Sequence, residues 1–276
     1  MIKRYSIVGM SKPLARKLRE KWERIIATEG YAMGLRNCSI VLENKLVNDI
    51  FYEGLFNGFP CIVKCSSRSP DSICNEYKML VRVYTADSEV FPRPFGYWIS
   101  RDGRFAFIIM EKVTKGVRVS CEKYAEGLKR IFYALRNTGV VHRDIIKDNI
   151  ITDNNGMPKL IDFQFAIDRN SYSESNYMRK HMIYRLVLFG AGIDKKPGQW
   201  NDAVQLAWIL RFNERNSKVD KIIEEIRSEF PTSNFECKMS WLEKIAVYGY
   251  DYILRICLLF AGGKRKKSLL ARLSRI

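Results

Sequence analysis

Val140-Val141-His142-Arg143-Asp144-Ile145-Ile146-Lys147-Asp148-Asn149-Ile150-Ile151, with Ile161-Asp162-Phe163 close behind it, is the stretch that organises this chain. Apolar Ile150-Ile151 and Leu160-Ile161 flank Thr152-Asp-Asn-Asn-Gly-Met-Pro158, a segment crowded with turn formers. The pattern predicts a strand, a tight turn and a second strand. Asn149 enters the first strand and Asp162 leaves the second. Closing the hairpin brings the two together as oxygen ligands for a hard cation such as Mg²⁺. Asp144, on the loop before the first strand, is left to meet a hydroxyl.

These residues resemble the protein kinase-like superfamily. Its catalytic loop reads His-Arg-Asp with Asn five residues after the Asp, and its metal site reads Asp-Phe-Gly. His142-Arg143-Asp144 and Asn149 match in full, and Asp162-Phe163 match two of three. The thirteen-residue step from Asn149 to Asp162 also agrees. Turn capping alone does not require both offsets. The resemblance implies a bilobal α+β fold, with a small lobe of antiparallel sheet plus one helix and a mainly helical second lobe. It implies ATP and Mg as cofactors, Asp144 as catalytic base, and Asn149 and Asp162 as metal ligands.

Upstream, Asn57-Gly58 separates two apolar runs, the strongest short hairpin signal. The second run presents Lys64 after Ile62-Val63, which resembles the kinase lysine that holds the α and β phosphates. Asp71 to Val83 has helical spacing, with Ile73, Tyr77, Leu80 and Val81 on one face. Glu76 lies in it, twelve residues after Lys64, placed to orient that lysine by an ion pair. Phe105 to Met110 reads as a buried strand. By analogy with the kinase hinge, backbone groups of Glu111 and Val113 would bond adenine. Glu122 to Thr138 has the apolar spacing of a helix (Ala125, Leu128, Ile131, Phe132, Leu135), and Gly139 stops it.

The departures bear on mechanism and acceptor. Glu43 to Asn48, where the loop over the phosphates falls, contains no glycine. Ile146 stands where many protein kinases carry a lysine, and Lys147, one residue displaced, is the candidate to take its place at the phosphates. Gln164 replaces the glycine after Asp162-Phe163, which argues against a large backbone flip there. No Ala-Pro-Glu follows Asp162, so the platform that holds a peptide is expected to be missing, and Tyr177 to Leu188 reads as a helix. Saccharide kinases of the superfamily have short, altered segments of this kind, among them the bacterial kinases of lipopolysaccharide core heptose and Kdo. The expected acceptor is therefore a sugar or glycolipid hydroxyl. A protein kinase with a reduced segment, an ATP-binding pseudokinase and a drug-inactivating phosphotransferase are the alternatives.

The chain of 276 residues accommodates one bilobal unit. Residues 1–35 form a basic extension, 36–110 the small lobe, 111–255 the large lobe and 256–276 a basic tail. Within the extension, Pro13 to Ile26 reads as a basic amphipathic helix. Seven scattered cysteines without a CxxC pair suit a reducing cytoplasm, and the amino terminus lacks a signal peptide's apolar core. The net charge of +17 calls for an anionic partner. Lys264 to Ile276 combines six basic residues with an apolar stripe of Leu269, Leu270, Leu273 and Ile276. At roughly 1 kcal/mol per basic residue near an anionic leaflet, this predicts peripheral attachment to the inner face of the cytoplasmic membrane. Nucleic acid is the disfavoured alternative, because no nucleic-acid module is recognisable.

Overall fold

In the computed structural model, which describes residues 12–44, 49–66, 70–116, 120–170, 199–211, 216–229, 235–236, 241 and 245, helix α1 (Lys12–Ile25) leads into strand β1 (Leu35–Asn44). Strands β2 (Asp49–Phe56) and β3 (Phe59–Ser66) follow, then helix α2 (Pro70–Ala86) and strands β4 (Pro94–Ile99) and β5 (Ala106–Glu111). The five strands form one antiparallel sheet in the order β1-β2-β3-β5-β4. Asn57 and Gly58 turn β2 into β3 with φ of 48° and 86°, the left-handed pair that a two-residue hairpin requires.

Period-two alternation divides this sheet between two cores. Cys61, Val63, Cys65, Phe107 and Ile109 face a cluster completed by Trp22 and Ile26 of the amino-terminal helical segment. Ile62, Ile108 and Met110 face the other way, toward Ile73, Leu80 and Val83 on α2. The extension helix is thus a covering layer for the sheet, sealed by Trp22 edge-on to Phe105 at 5.3 Å. Lys64 shares the parity of Ile62, which aims its side chain at α2. On α2 the buried positions are Ser72, Ile73, Glu76, Leu80 and Val83. The expected apolar face is therefore rotated slightly: Tyr77 and Val81 are half-buried, and Glu76 lies in the interior.

The second lobe begins with α3 (Cys121–Thr138), capped by the Ser120 side chain and closed by Gly139 in the left-handed region at φ 67°. Its predicted apolar positions Ala125, Leu128, Ile131, Phe132 and Leu135 are all buried. Gly127 lets α3 lie against the following hairpin, since a Cβ there would meet Pro158 at 2.3 Å. Short strands β6 (Val140–Val141), β7 (Ile150–Thr152), β8 (Pro158–Leu160) and β9 (Ile167–Asp168) come next, with β6 paired to β9 and β7 to β8. The predicted hairpin forms with Ile150 opposite Leu160, one residue shorter at its exit than expected. After β10 (Gln199–Trp200) come helices α4 (Asp202–Arg211) and α5 (Ser217–Ser228), then β11 (Phe235–Glu236). This sheet-plus-helix lobe followed by a mainly helical one is the expected bilobal α+β, kinase-like fold. The phosphate-loop residues 45–48, the predicted helix at 177–188 and the basic tail lie outside the described residues. No helix among the described residues is long and apolar enough to cross a membrane.

Candidate active site

Gly139 ends α3 and delivers the chain through β6 into His142-Arg143-Asp144, a segment buried at every residue. Buried backbone must find partners, and here they come from far away in sequence. The Asp202 carboxylate accepts from the His142 N–H at 2.6 Å and from the Arg143 N–H at 3.0 Å. Gln205 Oε1 accepts from the Ile145 N–H at 3.0 Å. Arg143 holds a left-handed φ of 65°, uncommon for a non-glycine residue, and its Nε donates to the Phe165 carbonyl at 2.7 Å. His142 Nδ1 accepts from the Asp144 N–H at 3.2 Å, and Nε2 lies 3.2 Å from the Ile161 carbonyl. A neutral ring protonated on Nε2 satisfies both contacts. Asp202 and Gln205 were not singled out from the sequence. Their signal is faint: Asn201 Oδ1 already caps α4 at Ala203 and Val204, so an acid directly after it has another task.

Asn149 Nδ2 donates to both the Asp144 carbonyl at 2.9 Å and Asp144 Oδ2 at 3.0 Å. Both partners can only accept, so the amide nitrogen must face Asp144 and Oδ1 must face away. The Ile161 N–H donates to the Asn149 carbonyl at 2.9 Å, tying Asn149 to the residue before Asp162. Asp162 itself has a left-handed φ of 65°, so two of the four non-glycine residues with positive φ among those described sit in this site.

Lys64 Nζ bridges the lobes. It donates to Glu76 Oε2 at 2.8 Å, Asp162 Oδ1 at 2.8 Å and Gln164 Oε1 at 3.2 Å. Lys64 and Glu76 are 4% and 1% exposed, whereas the Asp162 side chain is 33% exposed. A buried ion pair of this kind survives only when hydrogen bonds satisfy it. Further ties hold α2 to the segment after Asp162: Asn75 Nδ2 donates to the Ala166 carbonyl at 2.7 Å, and Arg82 pairs with Asp168 at 2.8 Å. Phe163 is buried between Phe91 and His142, with ring centroids at 5.8 and 4.6 Å. The lobes therefore meet through one continuous apolar and ionic seam.

The remaining candidates are less tightly placed. The Glu111 N–H is taken by the Arg93 carbonyl at 2.8 Å. Its carboxylate accepts from the Arg93 N–H at 2.9 Å and from Lys159 Nζ at 3.3 Å. The carbonyl is thus the group with which Glu111 would meet a base. Val113 is half-buried on the segment after β5. Lys147 is exposed on a short 3₁₀ turn, Lys147–Asn149. Among the described residues no three His, Cys, Asp or Glu side chains form a metal-binding cluster. Asn149 Oδ1 and the Asp162 carboxylate supply two hard oxygen donors, which fits magnesium when phosphates and water complete its shell.

Fold and site together define a protein kinase-like architecture. No protein-family model matches the chain. It is 30% identical over 96 residues to the serine/threonine-protein kinase CBK1 of Candida albicans, an alignment covering 30% of this chain and 13% of that protein. It is 27% identical over 117 residues to the Saccharomyces cerevisiae protein of the same name, covering 38% of this chain and 15% of that one. The chain thus spans less than a fifth of the length of these curated relatives.

Proposed function

We propose that this protein is an ATP- and Mg-dependent phosphotransferase that acts on an alcohol hydroxyl. One observation carries the reading: Lys64 is held between Glu76 and Asp162, and Asn149, which clasps Asp144, is tied to the residue before Asp162 by the Ile161 N–H. Lys64 positions the α and β phosphates, with Glu76 fixing its ammonium. Asn149 and Asp162 would hold magnesium, which would supply neutralisation of phosphate charge. Asp144 orients the acceptor hydroxyl and accepts its proton, a contribution of roughly 10²–10⁴ in rate. The carbonyl of Glu111 and the backbone of Val113 bond adenine, and Lys147 lies near the transferring phosphate. Positioning and charge neutralisation dominate catalysis in sites of this type.

The acceptor we propose is a sugar or glycolipid, of the lipopolysaccharide-core kind, at the inner face of the cytoplasmic membrane. Its support is the lack of Ala-Pro-Glu after Asp162, the net charge of +17 and the basic tail. A second reading, transfer to a polypeptide serine or threonine, is supported by the names of the two relatives. The full chain incubated with Mg and γ-labelled ATP, offered lipopolysaccharide fragments and a protein mixture in parallel, separates them. Label on the saccharide supports the first acceptor and label on polypeptide alone the second. ATP binding without transfer to either reduces the protein to a nucleotide-binding module.

A further inference from the structure

We infer that Gln164 is a positioning residue for Lys64, a neutral third acceptor that keeps the ammonium seated while Asp162 turns to the metal. This rests on the phosphotransferase reading and deepens it. An ammonium has three N–H donors, and here three side-chain oxygens meet it, from Glu76, Asp162 and Gln164. Two of these side chains are interior: Glu76 is fully buried and Gln164 nearly so. Asp162 is the partner open to the cleft, and it is also the residue suited to a cation. When its oxygen is drawn to magnesium, Glu76 and Gln164 hold two N–H groups and the third is released toward phosphate.

The backbone shows that residue 164 is not standing in for a glycine. Gln164 lies in the 3₁₀ turn Phe163–Phe165 and is not among the residues with positive φ. A glycine would add freedom the fold does not use and would remove an acceptor it does use. Amide chemistry matters as well. A carboxylate at this position would surround one ammonium with three anions, repelling the triphosphate that Lys64 must approach.

Two substitutions and two readouts test this. Gln164→Met keeps length and removes the acceptor; losing a hydrogen bond to a charged group should raise the KM for ATP by about tenfold or more, with kcat within about threefold. Gln164→Glu keeps an acceptor and adds charge, so its KM for ATP should also rise, while the nucleotide-free chain stays folded. The second readout needs no nucleotide: acylation of Lys64 by an amine-reactive probe, followed by mass spectrometry, should be faster in Gln164→Met than in the unaltered chain. Unchanged KM and unchanged Lys64 labelling in Gln164→Met overturn the inference while leaving the phosphotransferase reading intact. Failure of the unaltered chain to bind Mg-ATP overturns that reading, and with it the nucleotide role given to Gln164.

Discussion

Asn149 grips Asp144 twice through a single amide nitrogen, once on its main-chain oxygen and once on its carboxylate. That grip aims Oδ1 of Asn149 outward and fixes the rotamer of Asp144, so one side chain both restrains the base and offers a metal ligand. Asn149→Ala should lower transfer by at least about a hundredfold while leaving a cooperatively folded chain. Asn149→Asp should be worse for stability, because it sets a second carboxylate against Asp144. Steady-state transfer rates and urea midpoints on the same preparations check both expectations.

Lys64 and Glu76 form an interior ion pair, and its two halves depend on each other. Glu76→Leu should destabilise the chain by about 3–5 kcal/mol, since it removes the lysine's most buried carboxylate. Lys64→Met should do comparable damage by leaving Glu76 in the interior without its cation. The double variant Lys64→Met/Glu76→Leu should recover much of that loss without recovering activity. A double-mutant cycle by urea denaturation measures the coupling; additive losses would contradict a mutually dependent pair.

Asp202 holds the catalytic loop by two of its backbone N–H groups, those of His142 and Arg143. Asp202→Ala strands two buried N–H groups, each costing about 1–3 kcal/mol. The expected loss of transfer lies in kcat, with the affinity for ATP largely kept, because the groups that Asp202 holds belong to the loop that carries Asp144. Equilibrium binding of Mg-ATP alongside turnover tests the split. Equal losses in both would assign Asp202 a wider structural role.

Much of this architecture is legible locally. Asn57-Gly58 and the capped, periodic α3 follow from chemistry within a few residues, whereas the loop from His142 to Asn149 is legible through its resemblance to the kinase motif. Alternation along β3 and the spacing to Glu76 extend that reach to the lysine–glutamate pair. The contacts that were not legible are long ones. Asp202 meets His142 across 60 residues and Gln164 meets Lys64 across 100, and no local pattern marks either. Likewise an amphipathic α1 reads as a surface helix until the sheet it covers is in place, because its apolar stripe says nothing about what it faces.

Burial, with a smaller contribution from Cys38, pushes the Cys61 thiol up to about 12, and burial pushes the Tyr124 phenol up to about 12. Both groups are neutral in the folded chain under conditions where the unfolded chain ionises them, at the ordinary values of 9.0 and 10.0. Their contribution to stability is therefore fully present below pH 9 and is lost as pH rises toward 12. The urea midpoint should fall on going from pH 8 to pH 10.5, and the fall should be shallower in Cys61→Ala. A slope that is identical in the variant would remove Cys61 from the account.

The most direct measurement is transfer of the γ-phosphate of ATP to a hydroxyl acceptor by the unaltered chain and by Asp162→Ala and Asp144→Ala, each first shown to be folded. Labelled product should form with the unaltered chain and fall by at least about a thousandfold in both variants. Substantial turnover by either folded variant would contradict a catalytic centre built on Asp144, Asn149 and Asp162.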